Sequence, residues 1–247
     1  MIKVYKNVYG KIGSYFAKYA SEKYYVRVVD KDAWDIKKHG PLPGESLVFD
    51  LSYLDECRSA CEGVDIVIHL AADASQDADF VDSLMDNNTV AVYNMFRASR
   101  DSGVKRFIFT SSAHVVSAYD AGIQINLEMA VRPGNMYGVA KGFGEVLAAY
   151  FAYKEGLPCI VLRIGAYTFP GEYVHFSSDE MDAFLDPDDF NELLIRCIET
   201  PDIEFAIAHA ISDNLYKRLD LSQTREIFGY QPKTDAFTIF QKPENGL

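Results

Sequence analysis

The sequence predicts a doubly wound α/β fold, one parallel sheet with helices on both faces, carrying a small C-terminal lobe. Three observations support this. Short apolar runs alternate with amphipathic segments through the first two thirds of the chain, the pattern of strands joined by crossover helices. The run Val64-Asp65-Ile66-Val67-Ile68-His69-Leu70 is apolar on both faces, as a central strand of a parallel sheet must be. After Ile164 the alternation breaks. With 247 residues, 49% of them hydrophobic, the chain can fill one large core and reads as a single unit.

In order, Ile2 to Lys6 reads as the first strand, Gly13 to Glu22 as a helix, and Tyr25 to Val29 as a strand closed by Asp30. The loop Gly40-Pro41-Leu42-Pro43-Gly44 carries the residues that interrupt regular structure. Leu47 to Phe49 then forms a short strand ending at Asp50, and a helix over Leu54 to Glu62 leads into the central run. A long helix through Val90 to Ser99, a strand from Arg106 to Phe109, a helix containing Tyr137 and a strand from Cys159 to Ile164 complete the alternation. Gly165 to Asp186 reads as loop, followed by a helix from Asp188 to Ile198, a strand over Ile203 to Ile211 and a helix from Ser222 to Phe228. There is no internal repeat and no low-complexity tract.

The formal charge of -12 argues against nucleic acid or an anionic membrane as partner, because both would repel this surface. No basic-then-apolar leader and no bilayer-length apolar run is present, so a cytoplasmic protein is expected. The four cysteines, Cys57, Cys61, Cys159 and Cys197, and the scattered histidines lack metal-ligand spacing. They read as buried reduced thiols, and no metal is expected.

The chemistry concentrates in Asn135-Met136-Tyr137-Gly138-Val139-Ala140-Lys141. Tyr137 and Lys141 stand one helical turn apart, which puts phenol and ammonium on one face. A nearby cation favours phenolate over phenol, so the tyrosine pKa is expected to fall toward the working range of a general acid/base. Ser111-Ser112 ends an upstream apolar run, where a serine hydroxyl can hold a reacting oxygen. Tyr-x-x-x-Lys arises by chance in many helices. What raises the signal is order: a glycine-bearing N-terminal turn, an acidic residue closing the second strand, the serine pair, then this helix.

In that order the motifs resemble the extended branch of the short-chain dehydrogenase/reductase superfamily, the NAD-dependent epimerase/dehydratase family, and among its members the uronate dehydrogenases. The pieces carrying the latter likeness are Ser111-Ser112-Ala113-His114, Tyr137 to Glu145, Leu162-Arg163-Ile164-Gly165, Asp188-Asp189-Phe190 and Ala208 to Asn214, with Gly229-Tyr230-Gln231-Pro232 resembling the family's closing phrase. The resemblance implies a Rossmann fold, NAD as cofactor, a mainly NAD-binding core over residues 1–164, a mainly substrate-binding lobe over 165–247, and a homodimer built on the Val90 and Tyr137 helices. It implies Ser112, Tyr137 and Lys141 as catalytic residues, with Tyr137 and Lys141 also meeting the cofactor.

The family's three-glycine turn falls on Asn7, Gly10 and Gly13, where glycines admit the turn and let backbone approach the pyrophosphate. Asn is the side chain that best tolerates positive φ, although Lys6, Val8 and Tyr9 are bulkier than the family's residues. Lys11 and Ile12 follow at the helix N-terminus, a favourable place for a diphosphate. By the same resemblance Asp30 grips the adenosine ribose and selects NAD over NADP, beside Lys31, while Asp50 and Leu51 hold the adenine edge. Leu70, Ala71 and Ala72 underlie the cofactor, and Ile164 passes its nicotinamide. Ser75, Ser112, Ala113, His114 and His175 are the implied substrate contacts.

Two departures bear on substrate. Ala113 replaces an Asn of the uronate enzymes, and no arginine lies between Gly165 and Leu194, where they place one on the substrate carboxylate. A neutral sugar or polyol is therefore expected over a hexuronate. Ala113 and His114 also supply no carboxylate for dehydration. Three functions remain: an NAD-dependent oxidoreductase on a sugar, a nucleotide-sugar epimerase with retained NAD, and a dinucleotide sensor without turnover. The short C-terminal lobe weighs against the second, and the Ser112, Tyr137, Lys141 set against the third.

Overall fold

The computed structural model describes residues 3–7, 11–33, 41, 44–169 and 178–240. Val8, Tyr9, Gly10 and His175 lie outside the described residues, and of Asn7 and Lys11 only the backbone is described.

Seven parallel strands form the main sheet, in the order β3-β2-β1-β4-β5-β6-β9. They are β1 (Lys3–Asn7), β2 (Tyr25–Asp30), β3 (Glu45–Val48), β4 (Ile66–His69), β5 (Arg106–Ser112), β6 (Cys159–Ile164) and β9 (Phe205–Ala210). The helices that pack on them are α1 (Lys11–Ala20), α2 (Leu54–Cys61), α3 (Ala91–Asp101), α4 (Met136–Glu155), α6 (Pro187–Glu199) and α7 (Ser222–Phe228). This is the doubly wound Rossmann arrangement. The strand order reverses at β1, so the C-terminal ends of β1 and β4 flank the crevice where such sheets bind ligands.

The alternation of β5 shows how one sequence serves two cores. Ile108 points into the cluster that holds Phe16, Ile68 and Phe190, whereas Phe107 and Phe109 point into the opposite one with Phe96 and Phe151. Phe96 stacks on Phe107 at 4.1 Å and on Phe151 at 5.2 Å, locking α3 and α4 to the same sheet face.

Four differences from the sequence reading matter. Strand β5 continues past Phe109 to Ser112, because Thr110, Ser111 and Ser112 pair with Leu162, Arg163 and Ile164 of β6. Their hydroxyls hid the strand from a hydropathy reading. Strand β3 ends at Val48 rather than Phe49, its exposed edge giving little apolar signal. A π-helical stretch, Phe80–Val90, precedes α3 and is capped by the Asp79 side chain, which accepts from Val81 and Asp82 N–H. Finally, part of the supposed loop after Gly165 is ordered: β7 (Ala166–Tyr167) pairs with β8 (Phe184–Leu185), and α5 (Ser178–Met181) lies between them. Gly165 is required there, since a Cβ would lie 1.9 Å from the Ala183 carbonyl oxygen. The last helix described is α8 (Ala236–Ile239).

Among the described residues no helix is long and apolar enough to cross a membrane, and no group of His, Cys, Asp and Glu is placed to hold a metal ion.

Candidate active site

A cleft of about 740 Å³ runs across the C-terminal ends of the central strands. At one end it is lined by Ile12, Gly13, Asp30, Lys31, Asp50 and Leu51, in the middle by Leu70, Ala71 and Ala72, and at the other end by Ser112, His114, Tyr137, Lys141 and Ile164. Residues from seven separate stretches of sequence thus share one cavity. Its place at the strand ends, the small side chains along its floor and the carboxylate closing β2 fit an extended dinucleotide.

Among the residues whose side chains are described, two expected at the site are not in its lining. Ser75 is exposed and its hydroxyl accepts the Asp77 N–H at 3.3 Å, closing its own turn. The Ala113 methyl packs against the core.

Tyr137 sits in the first turn of α4, which Asn135 caps by accepting the Gly138 N–H at 2.8 Å. Lys141, one turn on, donates to the Thr110 carbonyl at 2.8 Å and lies 5.7 Å from the centre of the Tyr137 ring. Ser112, at the end of β5, lines the same end of the cleft and accepts the His114 backbone N–H at 3.2 Å. The expected fall in the tyrosine pKa is not found. Burial pushes the Tyr137 phenol up to about 12, the neighbouring Ser112 hydroxyl works the other way, and the Asp73 charge adds to the rise. Burial also brings the Lys141 ammonium down to about 8. Desolvation dominates both shifts because both groups are more than nine tenths buried.

Behind the cleft a buried ion pair ties the helix to the strands. Arg163 on β6 meets Glu145 on α4 in two bonds, 2.9 and 2.7 Å, and Glu145 also accepts the Ser111 hydroxyl at 2.6 Å. Glu145 is one turn beyond Lys141 and Ser111 is next to Ser112, so this pair sets the spacing between the two halves of the polar cluster. The sequence reading assigned it no role. It also passed over Asp73, Ser83 and Asn87 of the lining. The Asp73 carboxylate accepts from the Ser83 hydroxyl and from the Ser75 N–H, which holds it below the usual range, while the Asp73 backbone exchanges two bonds with the Asn88 side-chain amide, 2.8 and 2.9 Å, and so binds the segment after β4 to the π-helical stretch. Only that irregular helix brings these residues to the cleft, and no periodicity announces it.

A parallel sheet of this order, with a cleft across its strand ends and a Tyr, Lys and Ser cluster at one end of it, defines an NAD-dependent oxidoreductase of the short-chain class. Residues 8–186 match the NAD dependent epimerase/dehydratase family, and the chain belongs to it. It is 30% identical, over 95% of its length and 94% of the relative's, to the NAD-dependent glucose-6-phosphate dehydrogenase of Haloferax volcanii. It is 31% identical, over 80% of its length and 85% of the relative's, to the L-arabinose 1-dehydrogenase (NAD(P)(+)) of the same organism. A variant uronate dehydrogenase from Agrobacterium tumefaciens, solved in complex with NAD, superposes with a TM-score of 0.86 over 97% of this chain and 87% of that one, at 24% identity.

Proposed function

We propose that the protein oxidises a neutral sugar or polyol with NAD, by proton transfer to Tyr137. The observation that carries this reading is the meeting of Ser112, Tyr137 and Lys141 at one end of the cleft. Asp30, Asp50, Leu51, Ile12 and Gly13 would hold the adenosine end, Leu70, Ala71 and Ala72 the middle, and Lys141 and Ile164 the nicotinamide end, with Asn7, Gly10 and Lys11 contributing the pyrophosphate turn. The hydride leaving the substrate carbon goes to NAD when that cofactor is bound.

The chain's own part is the proton. Because the Ser112 oxygen already accepts the His114 N–H, its O–H is the group left to donate, toward the phenol or the reacting oxygen. Tyr137 as phenolate takes the substrate hydroxyl proton, and as phenol returns it in the reverse direction. The Lys141 cation favours the phenolate.

Among the described residues lining the cleft the lysines are Lys31, beside Asp30, and Lys141, and none is an arginine. A substrate carboxylate or phosphate would thus lack a bidentate partner there, and the likeness to an L-arabinose dehydrogenase agrees with a neutral sugar. The residues from 165 onward form the substrate-facing lobe. Buried free thiols at all four cysteines suit the cytoplasm.

We also propose a homodimer. Met136, Val139, Phe143, Val146, Tyr150 and Tyr153 are exposed on α4 at alternating spacings of three and four, and Tyr93 is exposed on neighbouring α3. Such a stripe pairs best with its own copy. Sedimentation of the protein and of Val146→Glu tests it: a dimer and a monomer are expected, and a monomeric parent refutes it. The activity is tested by NAD reduction over neutral aldoses, polyols, hexuronates and glucose 6-phosphate.

A further inference from the structure

We infer that Asn135 fixes the tautomer of His114, so that His114 presents an Nε2–H donor to a substrate oxygen and acts as a neutral specificity residue. The inference rests on the reading of this end of the cleft as the substrate end.

The argument starts with a backbone donor. The Gly138 N–H is one of the free donors at the start of α4, and it must be met by an acceptor. Asn135 lies 2.8 Å from it, and only the amide oxygen can accept, so the orientation of the Asn135 side chain is settled. Its NH₂ group is then the end that faces His114 Nδ1, at 3.1 Å. An NH₂ has no lone pair to offer in the plane of that bond, so Nδ1 must be the acceptor and carries no proton. A neutral imidazole with a bare Nδ1 has its proton on Nε2.

The same contact disfavours the imidazolium, because a protonated Nδ1 would set two donors against each other. Burial acts in the same direction, lowering the His114 pKa. His114 therefore brings a hydrogen-bond donor to the cleft without a charge.

Packing holds the arrangement in place. The His114 ring stands edge-on to Tyr137, with centroids 5.6 Å apart. A Cβ on Gly138 would lie 2.4 Å from the His114 carbonyl oxygen, so the turn carrying His114 is pressed against the start of α4. One residue, Asn135, thereby caps the catalytic helix and orients the ring next to the proton-transferring phenol. A neutral N–H at this point matches a hydroxyl or ring oxygen next to the reacting carbon, and gives a carboxylate little advantage.

Nitrogen-15 NMR of the histidine side chains at neutral pH tests the assignment, with His114→Gln identifying the signal. The wild type should show Nε2 protonated and Nδ1 bare. Asn135→Asp keeps a capping oxygen for Gly138, so α4 should form as before, but its carboxylate accepts from Nδ1 and should move the proton there or create the imidazolium. A wild-type proton on Nδ1, or an unchanged signal in Asn135→Asp, overturns the inference. The kinetic arm uses whichever of L-arabinose, D-glucose and D-galactose is oxidised most efficiently. KM should rise roughly fivefold to tenfold in His114→Phe, which keeps a planar ring but brings no donor, with kcat less affected, the size of one neutral hydrogen bond, and an unchanged KM overturns the specificity role. If none of these sugars is oxidised the functional reading fails, while the NMR result still decides the tautomer.

Discussion

The Lys141 ammonium lies 5.7 Å from the centre of the Tyr137 ring, while its hydrogen bond goes to the Thr110 carbonyl. The lysine makes its hydrogen bond to the strand end and not to the phenol, and that bond holds its head beside β5. Burial dominates the balance at the phenol, which is why its pKa stands near 12 instead of falling.

That balance predicts the direction of the pH profile. Oxidation needs the phenolate, whose population grows as pH rises toward the tyrosine pKa of about 12, so the rate should climb from neutral pH upward. Near pH 8 Lys141 begins to lose its proton, the cation that favours the phenolate disappears, and the climb should bend over. Reduction uses the phenol and should lack the rising limb. A rate profile for both directions checks this, and an oxidation rate that falls from neutral pH upward would remove Tyr137 as the base.

Tyr137→Phe should lower turnover by roughly 10²–10⁴-fold with NAD affinity nearly unchanged, since only the proton-carrying oxygen is lost. Lys141→Met should damage both, as expected of a residue at the nicotinamide end. Single-turnover rates together with NAD titration separate the two effects, and a Phe variant of near-full rate would make Tyr137 a packing residue.

Asp30 closes β2 and lines one end of the cleft, where we propose the adenosine ribose. NAD should bind at least roughly tenfold more tightly than NADP, because the 2'-phosphate would be brought against the carboxylate. Asp30→Ala should narrow the gap. Calorimetric titration with both cofactors decides it, and equal affinities for the parent protein would withdraw the assignment.

Glu145→Gln should cost about 3 kcal/mol or more in folding stability, because it leaves the Arg163 guanidinium buried without its charge partner. The double change Glu145→Met with Arg163→Met should recover much of the loss. Urea denaturation of the three proteins checks it. A Gln variant as stable as the parent would mean that the pair contributes nothing.

Much of this site was legible in the sequence because its signals are local. One turn of helix between Tyr137 and Lys141, an acid at the end of β2 and small residues after β4 each follow from spacing within a single element. What could not be read comes from contacts distant in sequence or from irregular backbone. Glu145 and Arg163 meet only once α4 docks on β6. Asp73 and Asn88 meet only through the π-helical stretch. Thr110 and Ser111 carry hydroxyls that meet buried partners, His69 and Glu145, so hydropathy does not show that the strand runs on through them. The direction of the tyrosine shift was misjudged for a related reason: spacing reports the neighbouring charge, and only the folded structure reports the burial that outweighs it.

The central claim is tested most directly by NAD reduction with purified protein over L-arabinose, D-glucose, D-galactose, glucuronate, galacturonate and glucose 6-phosphate, each run beside Tyr137→Phe. The account predicts that a neutral sugar has the highest kcat/KM and that the Phe variant abolishes most of it. Higher efficiency on a uronate or on glucose 6-phosphate, or no reduction of NAD with any of them, would contradict it.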